Sequence, residues 1–177
     1  MQLSFRISFF ILTSVLMFAC SNNSGGKTNS KNLNSQESLI KANKQMLMIE
    51  NEEIEIFIGQ HNWDMESTGS GLRYQIYEDG NGSLAEKGQL ISLEYEVRLI
   101  NGDLVYSSEN DGHKSFIIGH GGVESGLEEV VLFLKKGDRV HIILPSHLAF
   151  GLLGDQKRIP SRSILIYEVN VIDIRNK

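Results

Sequence analysis

The chain has 177 residues, a formal net charge of −5, 41% hydrophobic residues and a single cysteine. That length allows one domain with an appendage. The acidic balance, without a basic block in the C-terminal two thirds, argues against nucleic-acid binding. A lone cysteine excludes an intramolecular disulfide, so the fold must rest on its apolar core.

In chain order, residues 1–6 are a short polar start with one positive charge, followed at 7–19 (ISFFILTSVLMFA) by a mainly apolar run. The run is too short for an ordinary transmembrane helix and suits the core of a signal peptide, giving a leader at 1–19. Cys20 follows directly, and MFAC resembles a bacterial lipoprotein processing site, where a small residue precedes the cysteine that becomes lipidated. The resemblance implies a lipid on Cys20, with each buried CH₂ worth about 0.8 kcal/mol of membrane attachment. Few acidic residues directly follow Cys20, which points to a lipid-anchored, periplasm-facing protein of the cell envelope. The other reading of Cys20 is a free thiol at the end of an uncleaved anchor. Residues 20–36 are polar almost throughout and are expected to be a flexible tether.

Residues 37–57 predict a helix, free of proline and glycine, with Ser35 as its cap. Leu39, Ile40, Met46, Leu47, Ile49, Ile54 and Phe57 form an irregular apolar stripe, suited to docking on a domain or partner rather than to a coiled coil. The acidic cluster ENEEIE reads as a solvated face. Gly59 is expected to end the helix and Trp63 to anchor the loop behind it, so that residues 37–65 form a helical arm. Whether the arm dimerises is not legible.

From Gly71 the pattern turns to strands. LRYQIY alternates before the turn signal DGNG, and LISLEYEVRLI alternates up to the turn at Asn101-Gly102-Asp103. Short strands at 104–107 and 115–118 flank the loop SSENDGHK, and 119–123 is a glycine-rich turn. Residues 127–134 predict a short helix, closed by Lys135, Lys136 and Gly137, whose cations complement its dipole. RVHIILP and SILIYEVNVIDI are the last long strands, joined by a loop at 146–162. Strands around one short helix give an α+β domain at 66–177, a twisted antiparallel sheet wrapped on that helix.

The order of glycines and apolar residues between Ile91 and Ile172 resembles the FKBP-type peptidyl-prolyl isomerases. The residues that carry the likeness are Tyr95, Asn101-Gly102, Val105-Tyr106, Phe116-Ile117-Ile118-Gly119, Val123-Glu124-Ser125-Gly126-Leu127, Leu148-Ala149-Phe150-Gly151, Ile159-Pro160 and Tyr167. The wider arrangement, from the lipoprotein start and helical arm through NWDMESTGSGL to LPSHLAFGLLGD, is similar to the GldI-type gliding-motility lipoproteins. That likeness implies an envelope protein serving motility or secretion machinery.

Prolyl isomerisation meets a barrier of about 18–20 kcal/mol from amide resonance. A protein lowers it without cofactor or metal by holding the twisted imide in an apolar cup with one or two donors at its rim. By the resemblance, Tyr95, Val123, Ile159 and the ring of Tyr167 fill pocket positions, and Phe116 lies among the substrate-binding residues. Other positions depart from the family: Val105-Tyr106 replaces a Phe-Asp pair, Lys114 a phenylalanine, and Glu124 and Leu127 an isoleucine and the floor tryptophan. Phe150 replaces the loop tyrosine whose hydroxyl donates to substrate, and Asp155 stands where some members have histidine. These changes cost on the order of a hundredfold in transition-state stabilisation. Tyr106, Tyr95 or Tyr167 are the candidate substitute donors.

Tyr95, Val123 and Tyr167 each read, taken alone, more readily as core than as pocket, and only the set marks a concave ligand-binding face. His113, His120, His141 and His147 show no tight metal-ligand spacing, and GHGGVESG lacks the Lys-Ser/Thr ending of a phosphate loop. The expectation is an isomerase acting on Xaa-Pro segments of envelope proteins without metal or cofactor. The competing expectation is a binding module that uses the same cleft, or the arm, to hold a partner without turnover.

Overall fold

The computed structural model describes residues 28–176, with side chains from Gln36 onward. The leader at 1–19, Cys20 and the first part of the expected tether lie outside the described residues. Contacts divide the chain into two units, Met1–Asn43 and Lys44–Lys177. In the first unit the described residues form the start of helix α1 (Thr28–His61), where Leu39 and Ile40 are exposed.

Helix α1 is longer at both ends than its sequence predicts. It begins at Thr28 rather than Glu37, so residues 28–36 are helical instead of tether, and Ser35 lies inside the helix rather than at its cap. No glycine or proline interrupts the chain between Lys27 and Ile58, and extending a helix costs far less than nucleating one. Gly59 does not end it. A helical glycine costs about 1 kcal/mol, and the packed side chains of Phe57 and Ile58 beside it offset that. The helix stops at Asn62, which takes φ 53°, the left-handed conformation asparagine tolerates best after glycine.

Seven strands follow among the described residues: β1 (Glu66–Ser67), β2 (Arg73–Glu78), β3 (Leu90–Leu99), β4 (Leu104–Ser107), β5 (Lys114–Ile117), β6 (Arg139–Leu144) and β7 (Leu165–Arg175). They form one antiparallel sheet in the order β1-β2-β6-β7-β3-β4, with β5 also paired to β3. Strand β3 serves two neighbours on one edge, β5 along Leu90–Leu93 and β4 along Glu96–Arg98. Its alternation aims Ile91, Leu93, Tyr95 and Val97 inward.

Helix α3 (Ser125–Val130) and one following 3-10 turn (Val131–Phe133) fill the concave side. The helix starts two residues before the predicted 127–134 segment and tightens where α was expected. Leu127, Val130, Val131 and Leu134 are fully buried there. Gly126 explains how close the helix sits: a Cβ on it would lie 2.5 Å from Leu144 Cδ2 and 3.1 Å from Leu148 Cβ. The loop SSENDGHK contains a single turn, α2 (Ser108–Asp111), capped by Ser107 Oγ, which accepts from the Asn110 N–H at 3.4 Å.

The outer face of the sheet carries a second apolar cluster. Ile54 of α1, 1% exposed, packs with Ile143, Ile164 and Ile166, and Phe57, Ile58, Trp63, Met65 and Ile100 border them. Strands β6 and β7 are therefore covered on both faces over part of their length, which is why RVHIIL and SILIY read as near-continuous apolar runs. Trp63 stacks on His141 at 4.2 Å, and His141 stacks in turn on Tyr77 at 4.3 Å. Burial between these rings holds the His141 imidazole below its usual pKa.

Candidate functional site

A cavity of about 500 Å³ opens on the concave side, lined by Tyr95, Val97, Tyr106, Asp111, Lys114, Glu124, Phe150, Asp155, Lys157 and Tyr167. Strand alternation supplies Tyr95 and Val97 from β3. Lys114 comes from β5, where it pairs with Leu93, and Tyr167 from β7, where it pairs with Val97. Glu124 occupies the N-cap position of α3, its side chain turned to the cavity instead of to the helix N–H groups, and Phe150 follows the 3-10 turn Ser146–Leu148.

The floor is ionic. Glu124 is 7% exposed, and its Oε1 accepts from the Tyr167 hydroxyl at 2.6 Å and from Lys114 Nζ at 3.3 Å, while Oε2 accepts from Nζ at 3.2 Å. The Lys114 ammonium also lies 5.3 Å from the centroid of the Tyr95 ring and 5.8 Å from that of Tyr167. This is cation–π range, so the cation covers two of the aromatic faces. Burial, then the adjacent Glu124 charge and hydrogen bond, push the Tyr167 hydroxyl well above its usual pKa. It stays a donor committed to Glu124.

The rim is a second network. The Tyr106 hydroxyl donates a short hydrogen bond to Asp155 Oδ2, which with burial raises the Tyr106 pKa to about 12. Asp155 Oδ1 accepts the backbone N–H groups of Lys157 at 2.9 Å, Arg158 at 3.0 Å and Ile159 at 2.8 Å. Burial alone would raise the Asp155 carboxyl; the Tyr106 hydroxyl and those N–H groups outweigh it and hold the pKa below the usual carboxylate range. Arg158 lies over the Tyr106 ring at 4.8 Å, and its Nη1 donates to the Val105 carbonyl at 3.0 Å and to both Asp111 oxygens at 3.0 and 3.1 Å.

Two of the three tyrosines named as substitute donors thus have their hydroxyls engaged. The Tyr95 hydroxyl has no hydrogen-bond partner among the described residues, and burial, followed by the Asp111 and Glu124 charges, keeps it protonated. No group of three or more His, Cys, Asp or Glu among the described residues could hold a metal ion.

Of the residues singled out from sequence, Tyr95, Tyr106, Lys114, Glu124, Phe150, Asp155 and Tyr167 share this cavity. Val105, Phe116, Leu127 and Ile159 are buried in the core rather than on its wall. Val123 is half-buried and lines a different hollow with Lys87, Ile118 and Leu132. Val97, Asp111 and Lys157 line the cavity without having been named in advance. Val97 was readable, since alternation puts it on the same face as Tyr95. Asp111 ends the single turn α2 and Lys157 sits in a loop, and nothing local announces that the two segments meet at the cavity.

The loop carrying Phe150 is tied to the N-terminal helix. Glu50 accepts from the Ser146 N–H at 3.0 Å and from its hydroxyl at 2.6 Å, and Gly151 N–H returns to the Ser146 carbonyl at 2.8 Å. Gly154 is fixed in the same loop at φ +65°, and a Cβ there would collide with the Ile159 carbonyl.

The profile of the FKBP-type peptidyl-prolyl cis-trans isomerase family matches residues 82–172. The chain is 33% identical over 111 residues to a probable FKBP-type peptidyl-prolyl cis-trans isomerase FkpA of Neisseria meningitidis serogroup B. It is 30% identical over 112 residues to FkpA of Escherichia coli. These matches cover 62% and 63% of the chain, and the chain spans 40% of the length of each relative. Among solved structures, FkpA from Escherichia coli superposes with a TM-score of 0.63 at 25% identity, over 83% of this chain and 71% of that one. AtFKBP13 superposes with a TM-score of 0.59 at 30% identity, over 63% of this chain and 98% of that one. The matched segment runs through β3 to β7 and α3, the elements that build the cavity, and the protein belongs to the FKBP-type peptidyl-prolyl cis-trans isomerase family.

Proposed function

We propose that the protein is a peptidyl-prolyl cis-trans isomerase that assists folding in the bacterial envelope. The observation that carries this reading is the concave cavity, walled by Tyr95, Tyr106, Phe150 and Tyr167 on the family's framework. A proline ring seated against those rings leaves water, and the planar, charge-separated form of its imide loses solvation that the twisted form needs less. The free Tyr95 hydroxyl is the neutral side-chain donor available to a substrate carbonyl, an interaction that catalyses to the extent that it strengthens as the imide twists.

A second reading, a cleft that holds Xaa-Pro segments without turnover, is favoured by the ionic floor and by the commitment of the Tyr106 and Tyr167 hydroxyls. The deciding experiment is a protease-free isomerisation assay with the full chain on Xaa-Pro peptides of varied Xaa. The isomerase reading requires rates above the uncatalysed background; background rates for every peptide leave the holding role alone.

The location is part of the same proposal. The MFAC motif supports a lipid on Cys20 and a periplasm-facing anchor, and the likeness to gliding-motility lipoproteins supports service to motility or secretion machinery. No helix among the described residues is long and apolar enough to cross a membrane. Cys20→Ser should release the protein from the membrane fraction; retention there would dismiss the lipid anchor.

A further inference from the structure

Every carboxylate oxygen of the cavity already has a donor, while several of the donors in and beside it have no acceptor. Both Glu124 oxygens are engaged, Oε1 by Tyr167 and both by Lys114. Asp155 receives the Tyr106 hydroxyl and three backbone N–H groups, and Asp111 receives Arg158 Nη1 on both oxygens and the Ser107 N–H at 3.2 Å. The cations are differently placed. An ammonium carries three donors, and the recorded hydrogen bonds of Lys114 Nζ go to Glu124 alone. Lys157 lines the cavity, and its ammonium has no acceptor among the described residues; Arg158, exposed beside the cavity over the Tyr106 ring, uses Nη1 while Nε and Nη2 have no partner among the described residues. The Tyr95 hydroxyl adds one more unused donor.

We propose that this cavity selects Xaa-Pro segments whose residue before the proline is acidic. The proposal rests on the prolyl-isomerase reading of the site and names its substrate class. An aspartate or glutamate brings acceptors to unused N–H groups, and hydrogen bonds between charged groups are the strong ones. A lysine at the same place meets carboxylates that already hold donors on both oxygens and faces the Lys114 ammonium. A leucine covers that ammonium without giving it a partner, leaving donors desolvated. Lys114 carries most of the effect, because its side chain is 24% exposed and less screened than the loop cations. The discrimination arises by contact within the cavity, since a chain with net charge −5 does not attract anions at long range.

The test measures exchange by NMR with the full chain and four blocked peptides that differ only at the residue before proline: Glu, Gln, Leu and Lys. Binding is followed on the same samples by chemical-shift titration. The expected result is a kcat/KM for Glu-Pro roughly tenfold above Gln-Pro, the size of one charge-assisted hydrogen bond, with Lys-Pro lowest. Lys114→Met should bring the Glu to Gln ratio towards one, and Lys157→Met should reduce it less. The wild-type ranking stands as a test even if Lys114→Met fails to fold. Turnover of Leu-Pro at or above Glu-Pro overturns the selectivity and leaves the isomerase reading standing. Absent turnover of every peptide, with Glu-Pro still bound tighter than Gln-Pro, removes the isomerase reading and upholds the selectivity. Equal affinities in that case remove both.

Discussion

The two faces of the sheet are built on opposite principles. On the outer face, Ile54 of α1 is sealed against Ile143, Ile164 and Ile166, an apolar contact whose polar neighbours stay at its margin. On the inner face the framework beneath the cavity is equally apolar, but the cavity itself is lined by charges: Glu124 with Lys114, Asp155 with Tyr106, Asp111 with Arg158. Stability is concentrated where water is excluded completely. The ionic pairs sit where a ligand would displace water, and they set what the cavity accepts more than they hold the fold together. The contrast also explains how the fold persists through departures from the family at Lys114, Glu124 and Phe150: these side chains line the opening at the edge of the core, and Glu124 and Lys114 satisfy each other there.

That contrast can be broken most severely from outside. Ile54→Ala should cost about 3 kcal/mol, the lost burial plus the cavity left among three isoleucines. It should shift the denaturation midpoint while leaving ligand affinity of the folded protein unchanged; a loss below about 1 kcal/mol would mean that α1 does not contribute to the domain's core. Glu124→Ala comes next, at about 2 kcal/mol, because it strands the buried Tyr167 hydroxyl and a half-buried ammonium. Replacing both partners, Lys114→Phe with Glu124→Ile, should recover the part of that loss due to the stranded ammonium, the Tyr167 hydroxyl staying unpaired, and raise turnover of Leu-Pro peptides, since apolar groups of similar size replace a desolvated ion pair. A double variant less stable than Glu124→Ala would show the pair to be structural after all.

Glu50→Ala should cost about 1–2 kcal/mol by releasing the Ser146 N–H and hydroxyl. The sharper readout is the Phe150 ring, whose NMR signals should broaden as its loop loosens; unchanged signals would show that Glu50 anchors Ser146 without steadying the cavity wall.

The smallest effect is on acid stability. Asp155 has a folded pKa below its unfolded value, so it binds fewer protons folded than unfolded on the acid side. Its contribution is present above about pH 4, the unfolded carboxyl pKa, and is lost as pH falls through the lower folded value. Asp155→Asn should flatten the stability curve below about pH 4 and leave its shape near neutrality unaltered. An unchanged acid limb would remove Asp155 from the account.

The sequence carried the framework well because strand alternation, turn glycines and the helix between them are local signals, and Tyr95, Phe150 and Tyr167 could be placed by their order along the chain. Residues such as Phe116 and Leu127 carried the family likeness but sit in the core, since a residue's place in a motif does not say whether its side chain reaches the cavity wall. The helix was underestimated at both ends because residues 28–36 are weak formers that extend a helix nucleated elsewhere, and because Gly59 is held by tertiary packing. The pairing of Tyr106 with Asp155 was not legible: the two lie 49 positions apart, and one belongs to a loop. Lys114 and Glu124 could be recognised as charges at pocket positions, but only the structure shows that they pair with each other.

The central claim is that catalysis resides in this cavity with the Tyr95 hydroxyl as donor. Its most direct test is exchange NMR on a single Xaa-Pro peptide with the wild-type chain, with Tyr95→Phe and with Phe150→Ala. The account predicts that the wild-type chain speeds cis–trans exchange and that both variants slow it, Tyr95→Phe by about tenfold, the worth of one hydrogen bond in the transition state. Exchange no faster than in buffer, or a wild-type rate that neither substitution alters, would contradict it.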